Sequence, residues 1–543
     1  MNKSWKRVIK RIAVGLLIFV ALLGVFATFF LKDIVNNQLQ KQIKSTFGDF
    51  YQLSYERSST ALSTSGFSIN FEKVLFEADT SNQLMMRKYP AIFFNTDLLE
   101  ITDINVIGLL LNSKVAVKNI EIDDPKLLFY ITGSGEASDS TESNTQSDNL
   151  IESIKVGHIS IDKGSASFIF EKSRTDTLFS GKDLSLEIEN LGLDLRSEEN
   201  IVRTGTLDQL AFSIKELRMS PKRSDYNYGI EALKFNYKDQ LFQCSEFSLE
   251  PVGNPAEMAA NNQYRKSILR IKVDSLAYQS DDFKSLKNLT SINGQALNIM
   301  GIDLIIDRDK RLPLDQTVYK KLFHESLLEL PIAVNLDSIN VSNARIDYRV
   351  HNASSAEPGN LLLSSVDGNI TNINTKDLSQ IEAKFNGIFM EDGPFNLNIQ
   401  LPLATPHNHS YNGFIGKTDF TSINPLIANL TKVRMEEGWI ERIDFDGKGS
   451  EYLNQGVMKI AFHDLKLSVT NDNNKKKWIQ SGLGNLITRN NNRTDESETA
   501  DQLEYSYERP HYKDHLDMYG GGLINGFALG ILPKPIYNLV MNN

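Results

Sequence analysis

Ile120-Glu-Ile122-Asp-Asp-Pro125-Lys-Leu127-Leu-Phe129 is one of three phrases in this chain built to a single design. The others are Ile159-Ser-Ile161-Asp-Lys-Gly164-Ser-Ala166-Ser-Phe168 and Ile339-Asn-Val341-Ser-Asn-Ala344-Arg-Ile346-Asp-Tyr348. Each runs apolar-x-apolar, then a polar pair followed by Pro, Gly or Ala, then apolar or small residues alternating up to an aromatic. Strict alternation places every second side chain on one face of a strand, and the polar pair supplies a bend. The expected unit is a strand, a break and a second strand whose apolar faces point the same way. Repeated along a chain, it predicts a mostly β fold: an elongated, repeat-built, groove-like sheet with a few short helices.

The amino-terminal segment predicts where that sheet resides. Lys3, Lys6, Arg7, Lys10 and Arg11 precede Ile12 to Leu31, twenty residues without a charge. At about 1.5 Å per residue the run reaches roughly 30 Å, enough to cross a hydrocarbon core. The basic cluster is retained in the cytoplasm, so a single-pass anchor places the bulk of the chain on the far side of the membrane. Val25-Phe-Ala27 offers a signal-peptide cleavage site, but the apolar run continues through Leu31 and favours a retained anchor.

Hydrophobic residues at 41% and charged residues at 23% describe a folded chain rather than a disordered one. Cys244 is the single cysteine, so no intrachain disulfide forms, which favours a bacterial envelope over an animal extracellular setting. A net charge of −10 gives no case for a nucleic-acid partner.

Periodicity divides the chain further. Residues 1–32 are the basic tip and anchor, and 33–65 a membrane-proximal helical connector in which Ile34, Leu39, Ile43 and Phe47 approach helical spacing. Residues 66–304 form a first β-repeat region, interrupted at 133–149 by an acidic loop without Lys, Arg or a large apolar residue. Residues 305–470 form a second β region, in which 314–330 is helix-like and ends at Pro331. Residues 471–543 hold polar stretches and, from Met518, a glycine-rich helix ending before Pro533.

Catalytic signatures fail on their spacing. Gly416-Lys417-Thr418 resembles the end of a phosphate-binding loop, but Tyr411 stands where the loop needs glycine. His324-Glu325 opens like a zinc-protease helix, but the second histidine position is Leu328. His407 with His409, and His511 with His515, read as surface polar pairs. The expectation is no enzyme, no cofactor and no metal site.

An apolar sheet face that helices are too few to cover packs on another sheet or holds a ligand. Candidate lining residues come from the three phrases: Ile120, Ile122, Leu127 and Phe129; Ile159, Ile161 and Phe168, with Phe170 beyond; Ile339, Val341, Ile346 and Tyr348. A series of β-sandwich domains, with these residues as core, remains open.

The chain resembles the AsmA-like family of envelope proteins, related in architecture to TamB and to the chorein-type bridge-like lipid transfer proteins. The resemblance rests on the basic amino terminus and single anchor, and on Val117-Lys-Asn-Ile-Glu-Ile-Asp-Asp-Pro125. It rests also on the block from Ile305 through Leu330-Pro331 to Asp347-Tyr348, and on Gly413-Phe-Ile-Gly416, Ile423-Asn-Pro425-Leu426 and Glu437-Gly-Trp-Ile440. It implies an inner-membrane protein with a periplasmic body that handles phospholipid or another membrane lipid, or supports outer-membrane assembly with envelope protein partners. A non-catalytic scaffold is the alternative.

Overall fold

The computed structural model describes residues 49–62, 66–82, 91–105, 114–131, 153–170, 177–194, 206–220, 224–260, 262–280, 291–352, 355, 357–405, 407–431, 433–470, 476–477, 502–532 and 537. The fold is mostly β, predominantly antiparallel, with a few short helices. Two compact units divide between Glu246 and Phe247. The expected boundary at 304/305 falls inside a single long strand.

In the first unit β1 (Tyr51–Ser54) and β2 (Arg57–Leu62) both pair with β3 (Phe67–Ala78), which pairs with β4 (Ala91–Ile104). β4 then pairs with both β5 (Lys114–Asp123) and β6 (Lys126–Ile131). These two short strands lie parallel to β7 (Ser153–Phe170). Antiparallel pairing resumes through β8 (Thr177–Asp194), β9 (Gln209–Met219) and β10 (Tyr226–Asn236). β11 (Leu241–Pro251) carries the division between the units.

The second unit begins with the short helix α1 (Pro255–Ala260), then β12 (Ser267–Ser280) and β13 (Ser291–Asp309). A connection containing α2 (Phe323–Leu328) crosses to β14 (Ala333–His351), which is parallel to β13. An antiparallel ladder follows through β15 (Gly359–Asn374), β16 (Gln380–Phe389), β17 (Gly393–Pro402) and β18 (His409–Ile415). After β19 (Thr418–Asp419), a 3-10 turn and α3 (Asn424–Leu430), β20 (Val433–Gly449) pairs with both β18 and β19. β21 (Leu453–Thr470) pairs with β20 and carries both β22 (Lys476–Lys477) and β23 (Gln502–Glu508). Helix α4 (His515–Ile531) follows, its first turn capped by the Asp514 side chain, which accepts from the Asp517 N–H.

The parallel step in each unit is made by the repeat phrase. In unit 1 the first two phrases align in register: Ile120 faces Ile159, Ile122 faces Ile161, Leu127 faces Ala166 and Phe129 faces Phe168. In unit 2 the third phrase aligns with a fourth copy that the sequence reading passed over, Leu297-Asn-Ile299-Met-Gly301-Ile-Asp-Leu304-Ile-Ile306. The spacing explains the break. From Ile122 to Leu127, Ile161 to Ala166, Val341 to Ile346 and Ile299 to Leu304 the step is five residues. An odd step in an unbroken strand would send the two halves to opposite faces. A left-handed residue in each gap shifts the phase back: Asp124 at φ 45°, Lys163 at 55°, Asn343 at 52° and Gly301 at 68°.

Three expectations are revised. The helical connector was drawn to residue 65, but from Tyr51 onward the chain is β1 and β2, where alternation of Tyr51 and Leu53 and pairing with β3 win. The helix expected over 314–330 shrinks to α2, because Asp315 accepts from the Thr317 N–H at 3.0 Å and hydroxyl at 2.6 Å and turns the chain. The terminal helix starts at His515 rather than Met518, at its Asp514 cap. The anchor, the first part of the connector, the acidic loop at 133–149 and the polar stretches at 281–289 and 490–501 lie outside the described residues. Among the described residues no helix is long and apolar enough to cross a membrane.

Candidate functional site: an apolar sheet face and a buried histidine cluster

Pairing converts the phrases into rows that cross the strands. In unit 1 one row runs Ile69, Ile101, Ile120, Ile159, Ile188, Leu210. A second runs Phe71, Leu99, Ile122, Ile161, Leu186, Phe212. Ile120, Ile122, Leu127, Phe129, Ile159 and Ile161 are all at most 5% exposed. Six of the predicted lining residues are therefore core. Phe168 is half-buried; its ring stacks on Phe129 at 4.8 Å and meets Phe179 edge-on at 5.3 Å. Phe170 ends β7, and its side chain lies outside the described residues. Burial relaxes along the second row, from Phe71 at 0% to Leu186 at 9% and then to the half-buried Phe212.

Unit 2 presents the same rows less covered. Ile339, Val341, Ile346 and Tyr348 are all half-buried. The Val341 row runs from Leu276 and Ile299 through Val341, Gly368, Phe385 and Leu397 to Gly413, Phe445, Met458 and Leu503. The Ile339 row runs beside it through Ile370, Ala383 and Ile399 to Tyr411 and Tyr505. Helices cover only parts of these rows. Leu327 and Leu328 of α2 pack in the cluster that holds Ile339, Ile370 and Ile399. α4 lies on the β21–β23 end with a face of glycines. A Cβ at Gly526 would sit 2.9 Å from the Tyr505 ring, and one at Gly530 would sit 2.5 Å from Ile460 Cδ1. Only glycine permits that approach. Ile299, Val341, Phe385 and Leu397 lie between and stay half-buried.

The opposite face is polar. Asn340 donates to Asn298 at 2.8 Å, and Asn369 donates to Asn340 at 2.7 Å. The sheet is amphipathic across its rows. Tyr348 differs from the other predicted lining residues, because its hydroxyl accepts from Arg308 at 3.2 Å. Arg308 is buried and also binds Asp514 and, at 2.8 Å, Asp517. Burial alone would lower the Arg308 pKa, but Asp514, Tyr348 and Asp517 overcome it and hold the guanidinium charged.

Where α2 and α4 approach β18, four of the eight histidines converge. The His324 ring lies 4.7 Å from His407, 6.0 Å from His409 and 5.9 Å from His515, centroid to centroid. Tyr519 caps the group, 5.2 Å from His409 and 5.9 Å from His515. The Tyr411 hydroxyl donates to Asn454 at 2.8 Å and meets the Tyr505 hydroxyl at 2.9 Å, extending the polar core. His324 is 0% and His409 2% exposed. Among the described residues neither ring nitrogen of His324 has a hydrogen-bond partner, nor have His409 Nε2 and the Tyr519 hydroxyl. His515 accepts from the Phe323 N–H. Burial, aided by the neighbouring imidazoles, lowers His324 to about 3; burial with His409 and Arg509 lowers His515 to about 4; burial lowers His409 as well.

This corrects the reading of these histidines as surface pairs. His407, His409 and His515 join His324, while His511 stands apart and binds the Gln316 carbonyl at 2.9 Å. Spacing could not reveal the group, since its members come from a helix, a strand edge and a second helix far along the chain. Among the described residues, no group of three or more His, Cys, Asp or Glu is set to hold a metal ion. No family model, no curated protein and no solved structure matches this chain.

Proposed function

We propose that this chain is an inner-membrane-anchored protein whose periplasmic body binds or conducts membrane lipid along an apolar β-face, moving lipid between membranes or supporting outer-membrane assembly. The observation that carries the reading is the half-buried stretch of unit 2 around Val341, Phe385 and Leu397, left between α2 and α4. An acyl chain needs continuous apolar lining and no catalytic group. Supporting observations are the charge-free run after the basic amino terminus and the resemblance to AsmA-like proteins. The closed rows of unit 1 favour a second role for the same phrases, as the core of a non-catalytic envelope scaffold.

The test compares lipid bound per protein in Val341→Asp and Asn340→Asp, one residue apart on opposite faces. A carboxylate on the apolar face leaves a charge without partners in the path of an acyl chain. The reading predicts lipid loss for Val341→Asp alone, at unchanged protein level and melting temperature. Equal lipid in both variants contradicts it.

A further inference from the structure

The histidine cluster joins the two helices that cover parts of the unit 2 apolar face. His324 belongs to α2 and His515 to α4, while His409 opens β18 and His407 lies two residues before it. We propose that the cluster is an acid-sensitive latch: neutral imidazoles hold α2 and α4 on the sheet, and proton uptake drives the helices off and uncovers the face.

The geometry leaves little room for charge. A second imidazolium within 6.0 Å of the first would add like-charge repulsion in a site already shielded from water. The His409 ring has little room to withdraw, because it lies over Gly449 so closely that a Cβ there would sit 2.0 Å from Nε2. Charged and titratable groups face the cluster from each element around it. Glu325 lies on α2 but binds the Tyr319 hydroxyl at 3.1 Å. On the carboxyl-terminal side, Asp514 favours His515 protonation, whereas Arg509 opposes it. Arg509 is itself bound to the Glu451 carbonyl at 2.7 Å and the Lys320 carbonyl at 2.8 Å. Glu451 shares the Tyr319 hydroxyl at 2.8 Å. Tyr411, Tyr505 and Tyr519 are raised by burial and stay neutral. Among the described residues no carboxylate is paired with His324 or His409, so a proton on either ring has no adjacent counter-ion there.

The sign follows from linkage. His324, His409 and His515 titrate lower in the folded protein than in the unfolded chain, so acid favours any state that exposes them. The latch is fully closed above the ordinary histidine value of 6.5 and weakens as pH falls toward about 4 at His515 and about 3 at His324.

The latch rests on the lipid reading only for its purpose, not for its motion. Hydrogen exchange of the full chain in lipid nanodiscs, corrected for intrinsic rates, is compared at about pH 7.5 and about pH 5. At the lower pH the backbone of α2 and α4 is expected to exchange at least about tenfold faster, with β16 and β17 unchanged. His324→Phe combined with His409→Gln and His515→Gln should abolish the difference, and His324→Gln with the same two changes should do so if the first set fails to fold. Equal exchange at both pH values, loss of protection throughout the sheet, or persistence of the effect in the variants overturns the latch. So does Zn2+ that protects the same segments at about pH 7.5 and is reversed by chelator, which would make the cluster a metal site. Helix release without any change in bound lipid would leave the latch standing and count against the lipid reading instead.

Discussion

Lys163 occupies a backbone position that suits it poorly. At φ 55° its Cβ is crowded, whereas Asp124 and Asn343 hold the equivalent places with side chains that tolerate the left-handed region. The Lys163–Asp162 pair at 3.8 Å joins two exposed side chains and contributes little. Lys163→Gly is therefore expected to stabilise the fold by about 0.5–1 kcal/mol, and Asp124→Gly to change it little, as read from denaturant midpoints. Gly301 is the opposite case. Its φ of 68° lies in the left-handed region that alanine adopts only with strain, and a Cβ there would sit 1.9 Å from Asp274 Oδ2. Gly301→Ala is expected to cost about 1–3 kcal/mol, with part regained when Asp274→Ala relieves the clash. These positions also show what one residue hides. The phrase at Leu297–Ile306 has the spacing of the other three, but Met300-Gly301 stands where they carry a polar pair, so a reading keyed to polarity passes over it. The left-handed torsion, not polarity, is what the position demands.

Among elements, strands were legible and contacts between distant segments were not. Alternation in Ile159–Ile161 or Leu184–Ile188 requires only local sequence, and it located β7 and β8. The face each strand presents followed once the bulges were placed. Helix α4 was legible from Gly520-Gly-Gly522, Gly526 and Gly530, but the reason for so many glycines lies in the sheet beneath it. Gly526→Val is expected to lift the helix from Tyr505 and Met458, raising exchange in α4 while β20 stays protected. Helix α2 also shows why the histidine cluster escaped notice. Its position depends on the carboxyl-terminal segment, through the Lys320 N–H bond to the His511 carbonyl at 2.7 Å, and no periodicity encodes such a pairing. Acidification tests this element-scale assembly as well. With His324 and His515 lowered to about 3 and about 4, thermal stability of the wild type should fall as pH drops below about 6.5, and the fall should be smaller in His324→Phe.

At the scale of the molecule, one phrase serves two ends. In unit 1 its side chains close into a core, each fully buried Ile or Phe contributing about 1.5–3 kcal/mol relative to exposure. In unit 2 Ile299, Val341, Phe385 and Leu397 of the matching row remain half-buried between two helices, the lining that the proposed carrier of acyl chains requires. The central claim is that lipid lies against this stretch. Phe385→p-benzoylphenylalanine and Lys384→p-benzoylphenylalanine place a photoreactive ketone on the apolar and polar faces of β16, one residue apart. Irradiation of the full chain in its native membrane, followed by mass spectrometry of the adducts, should give phospholipid attached at position 385 and little or none at 384. Adducts to protein alone at 385, or equal lipid labelling of the two faces, would contradict a lipid-bearing face and leave the rows as the core of a scaffold.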